Sequence, residues 1–200
     1  MWMFENLEIK RLRRYEPQPV DFLQNGLRSC NVSRDRKYRY RLTESIGTSR
    51  RHAVFVMLNP STADHTVDDP TWKKCVGFAS RWGCGVVTAV NLFGLRATDP
   101  SELREVEDPE GMRENLHFVA LEAARASAEE NGKPGHLIAA WGVNGAYRDQ
   151  DISVLGRVKV LGHRRLAWEC LGVTKEGHPK HPLYVPYDTK PRPFTIRSAP

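Results

Sequence analysis

The sequence predicts an α/β protein, a three-layer α/β/α sandwich around a central, mainly parallel four-stranded sheet. Three observations predict it. Short apolar runs recur at residues 53–58, 86–90 and 136–141, with the length and composition of strands buried on both faces. Segments of helical periodicity separate them. Each run also stops abruptly in a small, polar or glycine-bearing cluster, as loops leaving the carboxyl ends of parallel strands do.

The elements follow in order. Residues 1–35 are mixed, charged and broken by Pro17 and Pro19, and read as a basic N-terminal arm. Residues 37–43 alternate polar and apolar side chains, the period of a half-exposed strand. After a turn over 47–51, the run 53–58 is the first buried strand. Asn59-Pro60 ends it, because proline has no amide to donate and biases the preceding residue away from helix. Asp69-Pro70 reads as an N-cap followed by proline at the first helical position. Trp72, Cys75, Val76, Ala79 and Trp82 then recur at helical spacing, and Gly83 is placed to close the helix.

The run 86–90 is the second buried strand. Asp99-Pro100 repeats the cap and opens a short helix. A longer helix spans 110–130, with Leu116, Val119, Ala120, Ala123 and Ser127 on one face, and Asn131-Gly132 ends it. Residues 136–141 form the third strand, 146–155 a helix and 165–171 the fourth strand. The α/β domain is bounded at 36–188, and 189–200 is a proline-bearing extended tail.

Two hundred residues suit one domain with extensions. A net charge of +6 and a pI of about 9.3 favour an anionic partner, nucleic acid or a nucleotide, over a merely solvated basic surface. No apolar run approaches membrane-spanning length. The N-terminus lacks the basic start and apolar centre of a secretion signal, so a cytoplasmic protein without membrane contact is expected. Cys30, Cys75, Cys84 and Cys170 have no Cys-x-x-Cys spacing and read as reduced core thiols. The phosphate-cradling Gly-x-x-x-x-Gly-Lys loop, the dinucleotide Gly-x-Gly-x-x-Gly turn and the Gly-x-Ser-x-Gly elbow are all absent.

Chemistry concentrates in the four clusters after the strands. They are Asn59-Pro60-Ser61-Thr62-Ala63-Asp64; Asn91-Leu92-Phe93-Gly94-Leu95-Arg96-Ala97-Thr98; Gly142-Val143-Asn144-Gly145; and Gly172 to Pro182, with His178, Lys180 and His181. In an open parallel sheet these loops share one edge, where ligands bind. Each cluster also has a plainer reading: Asn59 as a turn residue, Asp68 or Asp69 as a helix cap, Gly142 and Gly145 as turn residues. His178 and His181 are spaced as metal ligands can be, but each precedes a proline and no third ligand is near. Donation to an anionic oxygen or a leaving group suits them better.

These motifs resemble, from about Tyr38 to Asp188, a bacterial and phage family, domain of unknown function 1643. The residues that carry the resemblance are Leu58-Asn-Pro-Ser-Thr-Ala-Asp64, Asp69-Pro-Thr71, Asn91-Leu-Phe93 with Arg96-Ala-Thr-Asp-Pro100, Trp141-Gly142, and Gly177-His-Pro-Lys-His-Pro-Leu183. The same order distantly resembles the uracil-DNA glycosylase superfamily, above all its mismatch-specific branch. That branch carries Gly-x-Asn-Pro-Gly after its first strand, Asn-Leu-x-x-Arg-x-Thr after its second and a late Asn-Pro or His-Pro loop. The second resemblance implies a four-stranded parallel sheet and hydrolysis of an N-glycosidic bond in DNA or a nucleotide.

On that resemblance Asn59 positions the attacking water, and His178 or His181 stabilises the departing base. Asn91 reads the base edge, and Phe93 or Trp141 stacks on the base. Pro60, Ser61, Thr62, Asp64, Asp69, Arg96, Thr98, Asn144 and Lys180 complete the binding surface, and no cofactor or metal is called for. Two alternatives stand beside this reading. One is a non-catalytic nucleic-acid or nucleotide binder. The other is a metal-dependent phosphoester enzyme using Asp64, Asp68, Asp69 and the histidines.

Overall fold

The structure is a computed structural model that describes residues 21–25, 27–61, 69–160 and 167–195. Among these residues eight strands form one mixed sheet: β1 (Asp21–Asn25), β2 (Arg28–Val32), β3 (Arg39–Ser45), β4 (His52–Met57), β5 (Val86–Asn91), β6 (His136–Ala139), β7 (Glu169–Cys170) and β8 (Arg192–Pro193). Their spatial order is β1-β2-β3-β5-β4-β6-β7-β8. The pairs β4/β5, β4/β6 and β6/β7 are parallel, and the pairs outside them are antiparallel.

The sheet is therefore wider and more mixed than the four-stranded sheet expected. Residues 21–32, read from sequence as irregular lead-in, form the antiparallel pair β1–β2, which β3 joins to β5. On the far side the chain end adds β8 against β7, and the Phe194 amide that follows β8 donates to Trp168 O at 2.7 Å. The fourth expected strand shrinks to the two residues of β7.

Among the described residues three α-helices cover the sheet: α1 (Pro70–Arg81) on one face, α2 (Met112–Ser127) and α3 (Gln150–Val160) on the other. Side-chain alternation along the strands divides the core. Ala53, Phe55, Met57, Val87, Ala89 and Ile138 pack with Trp72, Cys75, Phe78 and Ala79 of α1. Val54, Val56, Val90, Leu137, Ala139 and Trp141 pack with Val119, Ala123 and Ala126 of α2 and Val154 and Val158 of α3. Phe55, Phe78 and Phe93 are fully buried, and each such ring contributes about 1.5–3 kcal/mol by its removal from water. The four cysteines are reduced and buried, Cys30, Cys75 and Cys84 on the α1 side and Cys170 on the other.

The start of α1 forms as its sequence predicts. Asp69 accepts the Trp72 amide at 2.6 Å, and Pro70 opens the helix. Asp99 and Glu102 form a reciprocal capping box, but it opens only the 3₁₀ turn Pro100–Arg104. Among the described residues no helix is long and apolar enough to cross a membrane.

Among the described residues, part of the basic charge near the N-terminus is engaged internally. Arg39 is 3% exposed. Arg41 reaches the fully buried Glu122 of α2 at 3.1 Å, and Arg125 reaches the same oxygen at 2.6 Å. Arg34, Arg36 and Lys37, at the turn between β2 and β3, remain exposed.

Candidate functional site

The parallel strands β4 to β7 run in the spatial order β5-β4-β6-β7, so the chain leaves β4 toward β5 on one side and later reaches β6 on the other. The loops after β4 and β6 therefore diverge to opposite faces at neighbouring strand ends, the arrangement that opens a crevice at the carboxyl edge of such sheets. Asn59, Asn91, Trp141 and the loop bearing both histidines all meet this edge.

The loops after β4 and β5 are laced together. Leu92 N donates to Met57 O and Phe93 N to Leu58 O, both at 2.9 Å, and Ala97 N donates to Pro60 O at 3.0 Å. Asn59, half-buried, adds its side chain: Nδ2 donates to Ala97 O at 2.8 Å and to Pro60 O at 3.2 Å. The amide plane is thereby fixed, and Oδ1 is the atom left to act as an acceptor.

Asn91 ends β5 in register with Met57 of β4. By strand alternation it shares the α1 face with Val87 and Ala89. It is fully buried, yet neither Nδ2 nor Oδ1 has a hydrogen-bond partner among the described residues. Its backbone is held firmly, with Asn115 Nδ2 donating to Asn91 O at 3.0 Å and to Leu92 O at 3.1 Å. A buried amide with both ends unmet costs about 1–3 kcal/mol unless a water or a ligand group meets it.

At the same edge of the sheet, the start of α1 organises a polar group. Asp69 Oδ1 caps the helix while Oδ2 accepts the Ser61 hydroxyl at 3.1 Å. His181, on the loop after β7, lies within electrostatic reach of Asp69. Burial pushes the His181 imidazole below its ordinary range, against the opposing pull of Asp69. Its Nδ1 accepts the Leu183 amide at 3.4 Å, so the neutral ring carries its proton on Nε2 and presents a donor there.

His178 belongs to the opposite face. Its backbone closes a turn with Thr174, and it lies within electrostatic reach of Asp151 in the first turn of α3. Asp151 is nearly buried, and burial raises its carboxyl, opposed by the Ile152 amide and by His178. The segment before α3 is strained: Arg148 and Asp149 both adopt left-handed conformations, with φ of 55° and 52°. The two histidines, three residues apart, thus serve different helix starts on either side of the sheet.

Both aromatic residues expected to stack are core residues. Phe93 is fully buried and packs on Tyr147. Trp141, 2% exposed, meets Trp168 and Phe194 edge-on, and its Nε1 is buried without a hydrogen-bond partner among the described residues. Gly145 lies so close to Trp141 that a Cβ there would sit 2.0 Å from Cδ1 of the indole. Gly142 donates to Pro179 O at 2.9 Å from a left-handed φ of 71°, fastening the late loop to the end of β6.

Arg96 donates from its backbone to Lys37 O at 2.9 Å and from Nη1 to Arg36 O at 3.4 Å, which ties it to the β2–β3 turn. Pro60 is buried; Thr98, Asn144 and Lys180 are exposed at the edge. Thr62, Asp64 and Asp68 lie outside the described residues. Among the described residues no three His, Cys, Asp or Glu side chains converge as metal ligands would. Sequence reading did not single out Asp151 or Tyr184. The signals for them were faint: an Asp at a helix start, and a tyrosine between two prolines.

A family described as "Protein of unknown function (DUF1643)" matches residues 39–183. No curated protein and no solved structure matches the chain. The match spans most of the 200 residues, and the chain belongs to the DUF1643 family.

Proposed function

We propose that this DUF1643 protein binds a nucleobase at the carboxyl edge of its sheet and hydrolyses the N-glycosidic bond that carries it, in DNA or a nucleotide. The observation that carries the reading is Asn91. A buried amide offering one unmet donor face and one unmet acceptor suits the paired donor and acceptor groups of a base edge. The resemblance of Asn59-Pro60, Asn91-Leu92 and the His-Pro steps to uracil-DNA glycosylase motifs supports the same assignment, as does the net charge of +6.

The chemistry is as follows. Asn59, held by Ala97 O through Nδ2, uses Oδ1 to accept a hydrogen bond from water and orient it toward the anomeric carbon. The bond from that carbon to the base nitrogen breaks with its electron pair going to the base, leaving oxocarbenium character on the sugar. Water oxygen bonds to the anomeric carbon and releases its proton to solvent. The Nε2–H of His181 donates to the departing base anion.

Incubation with duplexes bearing uracil, mismatches or modified bases is expected to yield abasic sites from at least one substrate. Asn59→Ala, which loses the oriented water, is expected to lower that rate about 100-fold. Absence of product across the panel, or equal rates for the two proteins, refutes hydrolysis. A second reading is favoured by the hydrogen bonds of Asn59 to the loop itself: Asn59 stabilises a binding edge without turnover. It predicts that Asn59→Ala weakens affinity while no substrate is consumed.

A further inference from the structure

Four large apolar or aromatic side chains are strongly exposed among the described residues: Leu27, Val143, Ile152 and Tyr184. Leu27 lies at the far end of the sheet, where its carbonyl accepts the Ser45 amide. The other three lie at separate places along the carboxyl edge, Val143 after β6, Ile152 in the first turn of α3 and Tyr184 in the late loop. Tyr184 is the most exposed, at 79%.

Its setting is rigid. Tyr184 ends the 3₁₀ turn Pro182–Tyr184, whose first residue is buried. Tyr184 N donates to His181 O at 3.2 Å, and Val185 N to Pro182 O at 3.1 Å. Val185 is buried in the α1-side core, and its carbonyl accepts Lys74 Nζ at 2.8 Å. Prolines precede and follow the turn at 182 and 186. The chain is thus pinned on both sides of a ring that itself projects into solvent. The ring centroid lies 6.0 Å from that of His181, which links Tyr184 through His181 and Asp69 to Ser61 and the Asn59 loop.

A large aromatic side chain held exposed on an ordered turn loses little conformational freedom when it makes contact, which suits recognition better than packing. The rings of Phe93 and Trp141 are already taken up by aromatic neighbours in the core, Tyr147 for the first and Trp168 and Phe194 for the second. We propose that Tyr184 is the stacking surface of the site, its ring lying against a nucleobase of the bound nucleic acid or nucleotide. The inference rests on the nucleobase reading of the same edge.

The test measures affinity for a fluorescein-labelled oligothymidylate and for a fully abasic strand of equal length. Wild type is expected to bind the base-bearing strand more tightly. Tyr184→Ala is expected to lose about tenfold on that strand and nothing on the abasic one, with Tyr184→Phe close to wild type. Because the side chain is exposed, the unfolding midpoint of Tyr184→Ala should match wild type. Equal loss on both strands, or no loss on either, overturns the assignment. If Asn91→Leu loses preference for the base-bearing strand while Tyr184→Ala keeps it, Tyr184 alone falls. If wild type binds both strands equally, the nucleobase reading falls with it.

Discussion

Replacing Asn91 by leucine removes two buried polar atoms that have no hydrogen-bond partner among the described residues and puts a side chain of similar shape beside Met57. Loss of an unmet amide is worth about 1–3 kcal/mol, and some of that is returned as crowding by the bulkier chain. Asn91→Leu is therefore expected to raise the unfolding free energy in urea by about 1 kcal/mol while abolishing any base preference. A fall of about 2 kcal/mol or more would mean the amide serves the fold and not a ligand. Asn91 was legible as a site candidate because a polar residue at the end of an apolar strand is unusual. The burial of Phe93 and Trp141 was not legible, for the converse reason. An aromatic residue near a strand end looks the same in sequence whether it faces core or solvent, and strand alternation puts Trp141 with Leu137 and Ala139 in the core.

At the scale of the element, α1 links the core to the site through one carboxylate. Asp69 caps the helix with one oxygen and holds Ser61 with the other. Asp69→Ala is expected to cost about 1 kcal/mol of stability from the lost cap. It also removes the acceptor of the Ser61 hydroxyl at the helix start, while Asp69→Asn, which keeps an acceptor, should recover most of that stability; chemical denaturation of the three proteins checks the loss and the recovery. This helix was legible because its cap, its proline and its apolar spacing are local. The pair β1–β2 was not. The segment Arg28–Val32 reads Arg-Ser-Cys-Asn-Val, with two apolar residues and little strand propensity, and its place depends on β3. The two-residue β7 likewise owes its position to pairing with β6.

At the scale of the molecule, acid stability depends on a histidine in each layer. Burial lowers His52, which faces Glu122, Arg125 and Arg41 from α2 and β3. Burial also lowers His181, which faces Asp69 at the start of α1. Both rings are neutral when folded and take up protons more readily when unfolded, from the ordinary value of 6.5 downward. Their contribution is complete above that value and declines as pH falls below it. Urea midpoints are expected to drop between about pH 7 and pH 5, and His181→Gln should shallow the slope. Asp151, whose carboxyl is raised by burial, acts in the opposite sense at lower pH. A slope unchanged by His181→Gln would show that His181 titrates alike in both states. The alternation of buried strands and helices was enough to read an α/β protein with helices on both faces. The antiparallel additions at each side of the sheet were not legible, because they are fixed by which neighbour lacks a partner and not by local pattern.

The four thiols are divided between the two layers of the core. Three are sealed beneath α1 and the fourth lies on the opposite side of the sheet, so no thiol meets solvent until its own layer opens. The chain carries its own clock for local opening. Timed alkylation followed by peptide mass analysis would read the lifetime of each layer separately, without introducing a probe.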